Sequence, residues 1–222
     1  MYSFYCVTVF AVLASTALTV NLFLPGLRAR RRVAAGFSRA FLRAAGIPFS
    51  VHGAERLPRE PCVVVANHAS YLDGIVATAA LPPDFAFVIK SEMVRVPLAS
   101  LLLRRLGSEF VERFDAKRSA TDARRVLKRA ARGQSLVFFP EGTFDEMRQI
   151  GKFMRGAFAT AARAGMPVVA VAIHGTRDVL PSGTMLLRRR PIRVEVLEVL
   201  HGADARHRSR ELIGRAVDEP LA

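Results

Sequence analysis

From Tyr2 to Leu24 the chain carries no charged side chain, a run long enough to span a hydrocarbon core of about 30 Å at the helical rise. Beyond it, Val33, Phe37 and Phe41 recur at every fourth position, while Arg39 and Arg43 fall elsewhere around the helix. That periodicity predicts a short amphipathic helix, lying in a membrane interface or packed on a core. Pro48, Gly53 and Pro58 then break the chain. The pattern next changes to continuous apolar runs separated by segments of helical length. Cys62–Ala66 and Phe85–Ile89 read as buried strands, with Leu136–Phe139, Val168–Ile173 and Ile192–Leu200 further strands and Ser108–Glu112 a short one. Among the helices, Leu72–Leu81 stops at Pro82-Pro83 and Pro97–Leu106 stops before Gly107; Gly156–Ala164 and Arg206–Val217 follow later. Ser119-Ala120-Thr121-Asp122 has the look of a capping box, opening a helix that Gly133 closes.

Strands that alternate with helices in this way predict an α/β fold, a single domain with a largely parallel central sheet flanked by helices. The expected organisation is an N-terminal transmembrane or membrane-anchoring helix (residues 1–27), a basic, amphipathic interfacial segment (28–50) and the α/β domain (51–222). There is no internal repeat and no low-complexity linker.

Charge narrows the partners. The chain is 51% hydrophobic yet carries 33 Lys and Arg against 19 Asp and Glu, a formal net charge of +14. An apolar and strongly basic protein works against an anionic surface, either nucleic acid or lipid headgroups. A nucleic-acid module would show interleaved aromatics or a reader motif, and neither is present. The apolar N-terminus therefore decides for the membrane. No Lys or Arg precedes it, as a signal peptide would require, and Arg28, Arg30, Arg31 and Arg32 follow it. A retained anchor with the catalytic part facing the cytoplasm is the expectation, with a cleaved signal and one half of a monotopic hairpin as alternatives. Arg124, Arg125, Lys128, Arg129 and Arg132 crowd one helix, either as a solvated face or as a patch for an anionic partner such as lipid. The two cysteines, Cys6 and Cys62, indicate neither a disulfide framework nor a zinc site.

The candidate chemistry starts directly after the first buried strand, at Asn67-His68-Ala69-Ser70-Tyr71-Leu72-Asp73. On a regular helix a spacing of five would rotate His68 and Asp73 roughly 140° apart. They meet only if the chain turns between them, and Asn67 and Ser70 are turn and cap formers. Asp73 would then fix the imidazole tautomer and leave the other nitrogen to take a proton. The plainer reading is a helix-capping Asp beside an unrelated surface His. Leu72-Asp73-Gly74 lacks the first Asp of a phosphatase D-x-D-G-T element, and Ser70 lacks a nucleophile elbow. No metal-ligand motif is present. Three more segments end strands: Gly107-Ser108-Glu109-Phe110-Val111-Glu112-Arg113, Phe139-Pro140-Glu141-Gly142-Thr143, and Val168 to Thr176. Arg113 is of the type that grips phosphate in a bidentate manner. Singly, each of these is a weak signal.

In this order and spacing the segments resemble the glycerolipid acyltransferase family, which contains the 1-acyl-sn-glycerol-3-phosphate acyltransferases. The family's blocks N-H-x-S-x-x-D, G-x-x-F-[IV]-[DE]-R, F-P-E-G-T-R-S and a V-P-[IV] strand read here N-H-A-S-Y-L-D, G-S-E-F-V-E-R, F-P-E-G-T-F-D and M-P-V-V-A-V-A-I. The likeness runs from about Val51 to Pro181. It implies that His68 is a general base and Asp73 its orienter, that Arg113 contacts an acceptor phosphate, and that Glu141, Gly142 and Thr143 shape the substrate pocket. Lys90 would be a second phosphate contact. It implies no bound cofactor and no metal, with acyl-CoA or acyl-acyl-carrier protein as co-substrate. The partners would be a membrane lysophosphatidic acid, the thioester donor and, with it, an acyl-carrier protein; the product would be phosphatidic acid for phospholipid biosynthesis. One departure stands out: the family's Arg and Ser after E-G-T are Phe144 and Asp145 here. Then Arg113, Lys90, Arg148 or Arg155 holds the phosphate, or the acceptor is another lyso-lipid, one with a larger headgroup or an amino-acid lipid.

Overall fold

The structure of the chain, a computed structural model, describes residues 1–112, 115–143 and 147–222. In chain order the elements are α1 (Tyr2–Phe23), α2 (Leu27–Ala44), β1 (Phe49–His52), β2 (Val63–Ala66), α3 (Asp73–Ala80), β3 (Phe85–Lys90), α4 (Pro97–Arg105), β4 (Glu109–Val111), α5 (Ala116–Ala130), β5 (Ser135–Phe138), α6 (Gly156–Ala164), β6 (Val168–His174), α7 (Thr176–Val179), β7 (Ile192–Leu200) and α8 (Ala205–Val217). The seven strands form one sheet in the order β1-β7-β6-β2-β5-β3-β4. All neighbours are parallel except β6 and β7, which are antiparallel. This is the α/β architecture expected.

Strand β2 lies at the centre, and its side chains explain why the run is unbroken in apolarity. Val64 and Ala66 pack with Phe41, Leu42 and Val76 from α2 and α3 on one face. Val63 and Val65 pack with Ala157, Ala161 and Ile213 from α6 and α8 on the other. Successive strand residues point to opposite faces, so a strand covered twice must be apolar at every position.

Two local expectations are corrected. Helix α5 begins at Ala116, before the Ser119–Asp122 segment, because Asp115 caps it by accepting a hydrogen bond from Arg118 N at 3.0 Å. Asp122 instead accepts from Glu112 N at 2.9 Å and pairs with Arg125 at 2.8 Å. Strand β1 was hidden between Pro48 and Gly53, and it pairs in register with β7 from Phe49↔Ile192 to His52↔Glu195. The sheet therefore starts two residues before the boundary expected at 51.

The N-terminal helices are bound to this core. In α2, Ala34, Ala35, Phe41 and Leu42 are buried, so its apolar stripe packs on the domain. The arginine cluster is partly engaged there: Arg28 pairs with Asp84 at 3.1 Å, Arg30 donates to Leu24 O at 2.8 Å, and Arg31 donates to Leu106 O at 2.9 Å. Burial, with Arg129 nearby, lowers the Arg31 pKa to about 10. Helix α1 is long and apolar enough to cross a membrane, yet one of its faces rests on the domain. Tyr2 Oη donates to Ala45 O at 2.8 Å near one end, and Arg105 donates to Asn21 O at 2.8 Å near the other. Its outer face leaves Phe4, Val12 and Phe23 exposed.

Candidate active site

The first block sits where β2 leaves the sheet. Asn67, 3% exposed, extends the β2–β6 pairing by one side-chain rung: its amide nitrogen donates to Ile173 O at 2.9 Å and its oxygen accepts from Ile173 N at 2.8 Å. The strand end is thereby locked just before His68. The turn that follows is organised by Asp73, the first residue of α3. Its Oδ2 accepts from Ala69 N at 2.6 Å, from Ser70 N at 2.8 Å and from His68 Nδ1 at 2.7 Å. The backbone contacts curl the chain so that residues five apart meet. A carboxylate must be met by an N–H, so the proton rests on Nδ1, which leaves Nε2 as the nitrogen able to accept one.

The third block supports the same loop from the other side. The Phe139 ring stacks on the His68 imidazole, centroids 4.6 Å apart and planes 25° apart. Gly142, at φ +80°, makes the turn after Glu141, a conformation that side chains disfavour. Glu141 Oε1 accepts from His68 N at 2.8 Å and Oε2 from Gly151 N at 2.7 Å. Burial raises its pKa above the usual glutamate value, against the pull of those two N–H groups. Both carboxylate oxygens thus face protein donors. Glu141 ties the backbone at His68 to the backbone at Gly151.

The remaining candidates distribute as follows. Thr143 is exposed beyond Gly142. Lys90 ends β3, next to Val111 of β4, two strands from β2 in the sheet order. Arg113, Phe144 and Asp145 lie outside the described residues. Glu112, just before Arg113, accepts from Ser91 Oγ at 2.9 Å. Ser70 and Cys62 are unsuited to form an acyl-enzyme. Ser70 Oγ donates to Leu180 O at 2.8 Å and is buried, and burial pushes the Cys62 thiol up to about 12. Asn67 and Ser70 were read from the sequence as turn and cap formers and Phe139 as part of its block, but none was given the side-chain contact it makes here. The available signal was a polar Asn at the end of a fully buried strand, where a polar side chain needs a partner.

A histidine oriented by a buried carboxylate at the carboxyl edge of a parallel sheet is acid–base machinery, placed where α/β folds put their sites. The acyltransferase family model matches residues 48–174, more than half of the chain, and the chain belongs to that family. Among individual proteins it is 32% identical over 158 residues to the 1-acyl-sn-glycerol-3-phosphate acyltransferase BAT2, chloroplastic, of Brassica napus, covering 70% of this chain and 46% of that protein. It is 36% identical over 141 residues to the lyso-ornithine lipid O-acyltransferase of Pseudomonas aeruginosa, covering 62% and 52%. The chain spans about half the length of the curated relatives it matches. Its fold matches the crystal structure of the 1-acyl-sn-glycerophosphate (LPA) acyltransferase PlsC from Thermotoga maritima, with a TM-score of 0.81 over 98% of this chain and 93% of that one, at 21% identity.

Proposed function

We propose that this protein is a membrane-anchored O-acyltransferase that moves a fatty acyl group from an acyl thioester to the hydroxyl of lysophosphatidic acid, giving phosphatidic acid. The observation that carries this reading is the His68 Nδ1–Asp73 Oδ2 contact at 2.7 Å, made within the family's first block. His68 Nε2 takes the proton of the acceptor hydroxyl as its oxygen attacks the thioester carbonyl. The tetrahedral intermediate then collapses, the carbon–sulfur bond breaks, and the imidazolium returns its proton to the departing thiolate. Asp73 stabilises the imidazolium between the two steps. The donor is the acyl thioester of coenzyme A or of an acyl-carrier protein.

The membrane assignment is supported by the exposed apolar face of α1 and by α4 beside it, which exposes Leu98 and Leu101. A lipid acceptor enters from such a surface without crossing water. The basic residues that follow α1 favour a catalytic domain on the cytoplasmic side. A second acceptor, an amino-acid lipid such as the lyso-ornithine lipid named for the Pseudomonas relative, is favoured by Phe144 and Asp145 standing where the family has Arg and Ser. The test is a panel of lyso-lipid acceptors offered with one labelled acyl thioester. Lysophosphatidic acid should be acylated by the wild-type protein and by no His68→Ala sample. Unchanged turnover in His68→Ala would sink the general-base role, and transfer to an amino-acid lipid alone would move the assignment to the second acceptor.

A further inference from the structure

Beside the catalytic loop, the carboxyl rim of the sheet holds a cavity of about 310 Å³ lined by Arg148, Arg177, Asp178, Pro181, Ser182 and Arg188. Its two walls are segments already tied to His68. Arg148 lies three residues before Gly151, whose N–H donates to Glu141, and Glu141 also accepts from His68 N. The other wall is α7 and the residues after it, where Leu180 O accepts from Ser70 Oγ at 2.8 Å. The Arg148 guanidinium pairs with Asp178 on α7 and joins the two walls. Arg188 is held in place by its backbone N–H, which donates to Val179 O at 2.8 Å.

The charge in this cavity is uneven. Arg148 has Asp178 as its partner, and Arg177 has Glu219 at 3.6 Å. Arg188 is exposed and forms no ion pair among the described residues. Among the described residues, Asp178 and Glu219 pair with Arg148 and Arg177, and the fork of donors on Arg188 meets no carboxylate. Such a fork matches the oxygens of a phosphoryl group. At position 144, a few residues before Arg148, this chain has an apolar ring in place of the family's arginine.

We propose that this cavity is a phosphate subsite, with Arg188 as its principal donor and Arg148 as its second. It supplies the cation that position 144 lacks. The inference rests on the acyl-transfer reading, under which phosphoryl groups reach this rim from two sources: the phosphomonoester of the acceptor and the nucleotide phosphates of a coenzyme A donor. Both present the same chemistry to the arginines.

The test follows thermal denaturation of the full chain with two probes. Glycerol 3-phosphate carries the acceptor's phosphate, and adenosine 3′,5′-bisphosphate carries phosphates like those of the donor. Binding to the folded state raises Tm by an amount that grows with the logarithm of one plus the ratio of free ligand concentration to Kd. Arg188→Ala should weaken the protecting probe about ten- to a hundredfold, the loss of hydrogen bonds to a charged group. Arg190→Ala removes the same charge from an exposed neighbour outside the cavity and should leave protection unchanged. Whichever probe Arg188→Ala weakens names the source, and in turnover the same variant should raise the KM of that substrate alone. Protection by neither probe, full protection retained in Arg188→Ala, or equal losses in Arg188→Ala and Arg190→Ala would each overturn the subsite. Failure of the acyl-transfer reading shows separately, as a wild-type chain that turns over no lyso-lipid acceptor.

Discussion

Asp73→Asn separates the charge of this carboxylate from its shape. In the wild-type chain Oδ2 receives three donors, from His68 Nδ1, Ala69 N and Ser70 N, while the buried Oδ1 has no hydrogen-bond partner among the described residues. An asparagine that keeps its oxygen toward those donors places its NH2 at the Oδ1 position, a buried unsatisfied donor that costs about 1–3 kcal/mol of stability. The fold should survive that loss; the chemistry should not. When His68 takes the acceptor's proton, the imidazolium and the carboxylate have charge centres about 4 Å apart, worth about 4 kcal/mol at an effective dielectric near 20. The His68 side chain is 21% exposed and that of Asp73 0%, so the value for water does not apply. At about 1.36 kcal/mol per decade, this predicts a fall in kcat of about a thousandfold. Initial rates at saturating thioester and lysophosphatidic acid, with a melting curve to verify folding, measure it. A folded Asp73→Asn chain within about tenfold of the wild-type kcat would refute the reasoning, as would a loss confined to KM. Because the two groups act as a unit, the His68→Ala, Asp73→Asn double variant should be no slower than His68→Ala.

Two further variants test the frame around that pair. Asn67→Ala strips the partners from Ile173 N–H and C=O, and should cost about 2–4 kcal/mol, lowering Tm by roughly 2–4 °C per kcal/mol for a chain of this size; an unchanged melting curve would disprove the side-chain rung. Glu141→Gln leaves one backbone N–H, of His68 or Gly151, facing an amide NH2. It should cost about 2–4 kcal/mol and depress kcat more than it raises the acceptor KM, whereas a pure KM effect would return Glu141 to a substrate contact.

The sequence was most legible where one physical demand governs a whole segment. Strands buried on both faces must be apolar at each position, so β2, β3, β5 and β6 stood out. Four-residue β1 has only two inward side chains and a flanking proline, too little to separate it from a loop. The start of α5 was misplaced because a single Asp side chain, at position 115, decides it, while Ser119 to Asp122 offers an equally good local pattern. Within the site, His68 and Asp73 were legible as a pair because their chemistry is complementary. Glu141 was legible as a pocket residue, but not through the two backbone N–H groups it accepts from. A carboxylate that braces two backbone N–H groups and one that grips a ligand look alike until the partners are placed. Asn67 and Ser70 served the sequence reading as turn formers, and only the neighbouring β6 and α7 reveal what their side chains hold.

Helix α1 has two faces with different duties. Cys6, fully buried, belongs to the same apolar cluster as Phe41, Val64 and Val76, and Tyr2, Val9 and Leu13 pack against it. The inner face therefore closes the layer that backs β2, and through β2 supports the turn carrying His68. Cutting the helix away to obtain a water-soluble enzyme would open that layer. If α1 anchors the protein as proposed, polar replacements at Phe4, Val12 and Phe23, on the exposed side, should loosen the chain from lipid without unroofing its core. Detachment and unfolding, which deletion would merge, are separable along this one helix by the side from which it is approached.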